Sequence, residues 1–263
     1  MLPERPTREK EWGMPMRRLV LFVLFGVAST HSPAMAQNSK AEDVKQVPSD
    51  SDYRVQKCEG WTLHVHRGLE DKDAQATSLA LELLENQLQE IAKVVPEPAL
   101  KHLREVELWV SPEYPNIQPR AEYHPSVSWL RENHRNPAME KGIEFTNVRI
   151  FEAETRRMPN FALHELAHAY HDRVLERGFQ NPKVLEAYQR AKASGTYDRV
   201  EQRFGDGRSA TTRAYAMQSQ QEYFAEASEA FFSTNDFFPF TRAELEAHDP
   251  KMVALLSELW EAK

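Results

Sequence analysis

The sequence predicts an α+β fold in a single domain over residues 53–263. Three observations carry that expectation. Apolar residues alternate with polar ones at 61–66, 106–110 and 142–151, the two-residue period of half-buried strands. They recur at helical spacing at 73–94, 160–177 and 218–232. No linker, internal repeat or low-complexity tract divides the chain beyond residue 52.

The elements follow in order. Arg17 and Arg18 precede an apolar run at 19–26, and a small-residue site follows at Ala34 and Ala36. That order of basic, apolar and small residues reads as a secretory signal over 1–36, too short to remain as a membrane anchor. Residues 37–52 are polar and aperiodic and read as a flexible mature N-terminus. Stretches 53–56 and 61–66 flank Cys58-Glu59-Gly60 as a hairpin. The helix at 73–94 carries Leu79, Leu83, Leu84, Leu88, Ile91 and Val94 at helical spacing and stops at Pro96. A short helix near 99–104 leads to a strand at 106–110. Residues 111–141, rich in Pro, Asn and charge, read as a long irregular loop, followed by a strand over 142–151. Pro159 opens a strong helix over 160–177, and Pro182 opens another that stops at Gly195. A turn at Gly205-Asp206-Gly207 divides 197–213, a helix covers 218–232, and helical pieces fill 241–262.

Composition removes several function classes. Basic residues number 33 against 40 acidic ones, a net charge of −7 with no basic stripe, so no nucleic-acid partner is expected. There is no Gly-x-Ser-x-Gly elbow and no phosphate-binding loop. Cys58 is the only cysteine, which excludes an internal disulfide and every paired-cysteine metal motif. A metal would have to be held by His, Asp or Glu.

The helix at 160–177 contains His164-Glu165-Leu166-Ala167-His168, an HExxH string. Residues four apart share a helical face, so both imidazoles can address one ion. Neutral imidazole suits Zn²⁺, and the adjacent glutamate can take the proton of a water that the ion acidifies. A catalytic zinc needs a third protein ligand. Three glutamates on the later helix are candidates. Glu222 and Glu226, four apart, could supply one ligand and one hydrogen-bond acceptor for a ligand histidine. Glu229 reads as a solvated charge.

HELAHAYH at 164–171, Tyr215, and EYFAE at 222–226 resemble the gluzincin metallopeptidases related to the anthrax lethal factor catalytic domain and the secreted Pro-Pro endopeptidases. The resemblance covers roughly 155–235. It implies a zincin-type α+β domain, with a small mixed sheet packed on the HExxH helix and a second, glutamate-bearing helix crossing beneath. It implies one Zn²⁺ per chain held by His164, His168 and Glu222, with Glu226 behind them. It implies Glu165 as general base and Tyr215 as oxyanion stabiliser, since Tyr215 lies seven residues before Glu222. The lethal-factor type has an acidic residue three positions after the second histidine, where this chain has His171, followed by Asp172.

The expected function is therefore an exported peptidase, secreted or periplasmic, acting on a peptide or protein. The alternative is an inactive zinc- or peptide-binding module on the same scaffold. Among the other histidines, His64 and His66 read as an exposed sheet face, His124 and His134 as loop residues, and His248 as exposed. Phe237, Phe238 and Phe240 read as packing, and Cys58 as a small core residue near a turn.

Overall fold

The computed structural model describes residues 49–261. The 1–36 leader and most of the 37–52 segment lie outside the described residues. Of the latter, Asp50–Asp52 forms a 3-10 turn, with Asn136 Nδ2 donating to Asp50 Oδ1 at 2.8 Å.

β1 (Tyr53–Cys58) and β2 (Trp61–His66) form the expected hairpin. Its turn places Glu59 and Gly60 at positive φ, and a Cβ on Gly60 would meet the Arg104 side chain at 2.7 Å. α1 (Arg67–Lys72), α2 (Ala74–Val94) and α3 (Glu97–Leu103) then carry the chain to β3 (Leu108–Val110). β4 (Ala121–Tyr123), α4 (Val127–Glu132) and β5 (Ile143–Phe145) follow. The sheet order is β1-β2-β3-β5-β4, with β2, β3 and β5 parallel and the two outer pairs antiparallel. The sheet is therefore mixed, and β4 is an edge strand.

Two expectations for this region are corrected. The loop at 111–141 holds a strand, a helix capped by the Ser126 hydroxyl, and a 3-10 turn over Pro137–Met139. The strand expected over 142–151 covers only Ile143–Phe145. Its ladder ends where the Thr146 hydroxyl turns to the Arg120 backbone, and Ile150 N then closes a turn on Asn147 O. α5 (Phe151–Arg157) takes over from there.

Register explains the two faces of the sheet. Leu63, Leu108 and Ile143 align, as do Val65, Val110 and Phe145, and both rows pack on the helices in the main core. The intervening row, His64, Trp109 and Glu144, faces the other way. There Glu144 is buried with Arg135 at 2.8 Å and His124 at 3.2 Å, beneath the 111–141 segment.

α6 (Phe161–Arg173) lies across the apolar face, shorter than the 160–177 expected because Val174 leaves the helix and Arg177 adopts left-handed φ. The Asn160 carboxamide caps its first turn. Gln87 on α2 pins the same end, accepting from Ala162 N at 3.0 Å through Oε1 and from Asn160 Nδ2 at 3.1 Å through its carbonyl. α7 (Pro182–Ser194) and the hairpin β6 (Val200–Arg203) and β7 (Ser209–Thr212) lead to α8 (Gln220–Phe232), which packs extensively on α6. α9 (Arg242–His248) and α10 (Pro250–Leu259) close the far side, where Trp260 stacks on Tyr170 at 4.0 Å. Residues 49–261 belong to one compact unit. No helix among them is long and apolar enough to cross a membrane.

Candidate metal centre

α6 and α8 are buried almost all round, so polar side chains between them must find partners there. His164 Nε2 lies 3.1 Å from His168 Nε2 and 3.2 Å from Glu222 Oε2, and His168 Nε2 lies 3.4 Å from the same oxygen. Tetrahedral bonds of about 2.0–2.1 Å to a common ion would set neighbouring ligand atoms about 3.3–3.4 Å apart. The three atoms match that spacing, and they form a buried group that could hold a metal ion. A second convergent group, His164 with Glu226 and Glu229, shares the same histidine.

The expectation for Glu229 is corrected. It is fully buried, and its Oε2 lies 3.1 Å from His164 Nδ1. Glu226, expected behind the ligands, has Oε1 3.7 Å from that nitrogen and accepts from Asn235 Nδ2 at 3.1 Å. Residues 222, 226 and 229 follow the i, i+4, i+7 spacing of one helical face, so the sequence carried a signal for Glu229. What it lacked was the sign of the environment, which tertiary packing sets.

The electrostatics follow from burial. Burial would lower the His164 pKa, but hydrogen bonds to Glu222 and Glu229 hold it well above its ordinary value. Burial would raise Glu222, yet the two histidines keep it well below the ordinary carboxylate range. Burial, then the charge of Glu229, raises Glu226 well above that range. Burial, opposed by His164, lifts Glu229 to about 7. Behind them Asp236 is paired with Arg157 at 2.6 Å.

Glu165 is the least buried residue of the first two turns of α6 and faces the open side of the site. The backbone N–H of Tyr123 donates to its Oε2 at 2.8 Å. The Tyr123 hydroxyl reaches Asp172 Oδ2, also at 2.8 Å, and Lys141 Nζ donates to the same oxygen at 2.5 Å. Edge strand and helix are thus tied at two points. Nothing in the sequence marked Tyr123, because 111–141 read as loop. Asp172 engages this tie rather than His168. His171 is wholly buried against Phe179 and Phe224, both ring nitrogens unpartnered, and burial pushes its pKa down to about 4.

Tyr215 begins a 3-10 turn just before α8 and lines the same cleft as His164 and Glu165, stacked on Phe237. Burial, and then the charge of Glu222, raises its pKa, so it remains a proton donor at neutral pH. Hence His164, Glu165, His168, Tyr215, Glu222 and Glu226 all gather at one site.

The other histidines play different parts. His64 stacks on Trp109 at 3.8 Å and lies 3.2 Å from Glu107, and His66 Nδ1 accepts from Gly68 N at the start of α1. His124 lies in the loop after β4, as expected, and is buried on Glu144. His248, expected to be exposed, is half-buried edge-on to Tyr197 and Phe238. Cys58 is a half-buried free thiol whose pKa burial pushes up to about 11.

Comparison with protein-family models, curated proteins and solved structures finds no match.

Proposed function

We propose that this chain is an exported zinc-dependent peptidase of the gluzincin type. One observation carries the reading: His164, His168 and Glu222 converge at metal-ligand spacing, beside a free carboxylate, Glu165, held at a sheet edge. Two imidazoles and a carboxylate are a donor set that suits zinc, and each comes from a buried helix face that limits its movement.

A bound zinc ion supplies Lewis acidity toward water and toward the scissile carbonyl. Glu165 takes the proton of the attacking water and delivers it to the leaving nitrogen. The Tyr123 N–H keeps that carboxylate turned toward the cleft. The Tyr215 hydroxyl donates to the oxyanion, a bond stronger in the transition state than in the ground state. Glu229 holds the outer nitrogen of His164, which fixes the ring and leaves Nε2 for the ion.

Edge strand β4 supports a peptide as substrate. Glu122 pairs with Glu144, and His124 N bonds back toward β5 at Gly142 O. By alternation, Ala121 and Tyr123 turn their backbone groups to the outer edge, where the Tyr123 N–H is taken by Glu165 and the remaining groups face the cleft that Ala121 lines. An extended chain can pair with such an edge and present its carbonyls to the site.

The test is digestion of a proteome-derived peptide library by wild-type protein and by Glu165→Gln, at equal metal content. The expected loss in the variant is about 10²- to 10⁴-fold, the usual contribution of a positioned general base. Undiminished cleavage by Glu165→Gln would sink the mechanism.

A further inference from the structure

Beside the metal centre lies a cavity of about 340 Å³, with Met158, Phe161 and Phe237 among its walls. That volume is at the small end of ligand pockets. Its charged lining is largely paired internally: Arg157 donates to Asp236 at 2.6 Å and to Glu154 at 2.7 Å. Two lining oxygens have no hydrogen-bond partner, Asp236 Oδ1 and Asn147 Oδ1, and Asn147, the uncharged residue of the two, is only 2 % exposed. Its backbone is fixed by the turn from Ile150 N to Asn147 O at 3.0 Å. A buried carboxamide left unbonded costs free energy, and such groups are rare unless something else completes them.

We propose that Asn147 reads a carboxamide side chain, asparagine or glutamine, of the substrate beside the scissile bond. The proposal rests on the peptidase reading and names its substrate preference. A cationic side chain would have to displace Arg157, which already pairs with Asp236 and Glu154. An anionic one would meet Glu154, Glu165 and Asp236, while Arg157 is paired with Asp236 and Glu154 and Arg120 with Glu122. A purely apolar one would leave Asn147 unbonded. A carboxamide donates to Oδ1 and accepts from Nδ2, and this pairing works whichever way the Asn147 amide is turned. The apolar walls suit its methylenes.

The experiment uses zinc-loaded protein and a randomised peptide library in two arms. In the first, cleavage sites of the wild type are read by mass spectrometry. In the second, peptides retained by Glu165→Gln protein are sequenced, so preference is read without turnover. Both arms should enrich Gln or Asn at one position by about 10- to 100-fold over Met or Leu. Asn147→Leu should bring that ratio near unity, and Asn147→Asp should shift the preference toward Lys and Arg. Thermal melts confirm folding, and either variant alone suffices to show the change. An equal Gln/Met ratio in the wild type, or an unchanged preference in both folded variants, overturns the proposal. Cleavage without carboxamide preference defeats it while the peptidase reading stands. Carboxamide-selective retention without any cleavage by the wild type defeats the peptidase reading alone.

Discussion

The acids behind His164 give a sharp prediction, because two glutamates compete for one role. Glu229 Oε2 lies at 3.1 Å from Nδ1, within hydrogen-bond range, whereas Glu226 Oε1 lies at 3.7 Å, outside it. Replacing an acceptor that orients a ligand histidine typically costs about 10- to 100-fold in metal affinity, or about 1.4–2.8 kcal/mol. Glu229→Gln keeps the shape and removes the charge facing the imidazole, so it should fall in that range. Glu226 is different: its Oε1 lies out of hydrogen-bond reach of Nδ1, its Oε2 accepts from Asn235, and burial with its like-charged neighbour raises its pKa well above the ordinary value. Glutamine keeps its shape and an acceptor for Asn235, so Glu226→Gln should change affinity less than about threefold. Zinc affinity measured at pH 7.5 by competition with a chromogenic chelator separates the two. Equal losses in both variants, or a larger loss in Glu226→Gln, would refute the assignment of Glu229 to His164.

Three further outcomes are expected. Tyr215→Phe removes one oxyanion donor and should lower kcat by about 10²- to 10³-fold with zinc content and KM nearly unchanged, as steady-state kinetics on a cleaved peptide will show. Gln87→Leu leaves the Ala162 N–H without its acceptor at the start of α6 and should cost about 1–3 kcal/mol in urea unfolding. His171 predicts acid sensitivity: its folded pKa, about 4, lies below the ordinary 6.5, so as pH falls the unfolded chain binds the proton first. Stability should therefore drop from pH 6.5 to 4, by about 3 kcal/mol in all, and His171→Leu should lose that part of the pH dependence in unfolding titrations.

The site was legible where local spacing dictates geometry, and less so where packing does. HExxH places two imidazoles on one helical face whatever surrounds it, so His164 and His168 could be read directly. The motif called for a glutamate helix but left Glu222 and Glu226 open as ligand; the choice of Glu222, and of Tyr215 beside it, came from the family resemblance. Glu229 was misjudged because a helical wheel does not tell which neighbour will bury it, and α6 does so completely. The 111–141 segment hid both the edge strand and the Glu144 network. Three-residue strands such as β4 carry too little alternation to register, and they exist because a partner strand satisfies their backbone. The overlong strand at 142–151 shows the converse, since an alternating pattern persists past the point where its partner ends.

The central claim is that His164, His168 and Glu222 hold one zinc ion. Metal content of the purified chain, measured by plasma mass spectrometry after zinc loading and desalting, tests it most directly. About one zinc per chain is expected in the wild type, and under about one tenth of that in folded His164→Ala, His168→Ala and Glu222→Ala proteins. A wild type that retains no zinc, or variants that retain as much as the wild type, would contradict the account.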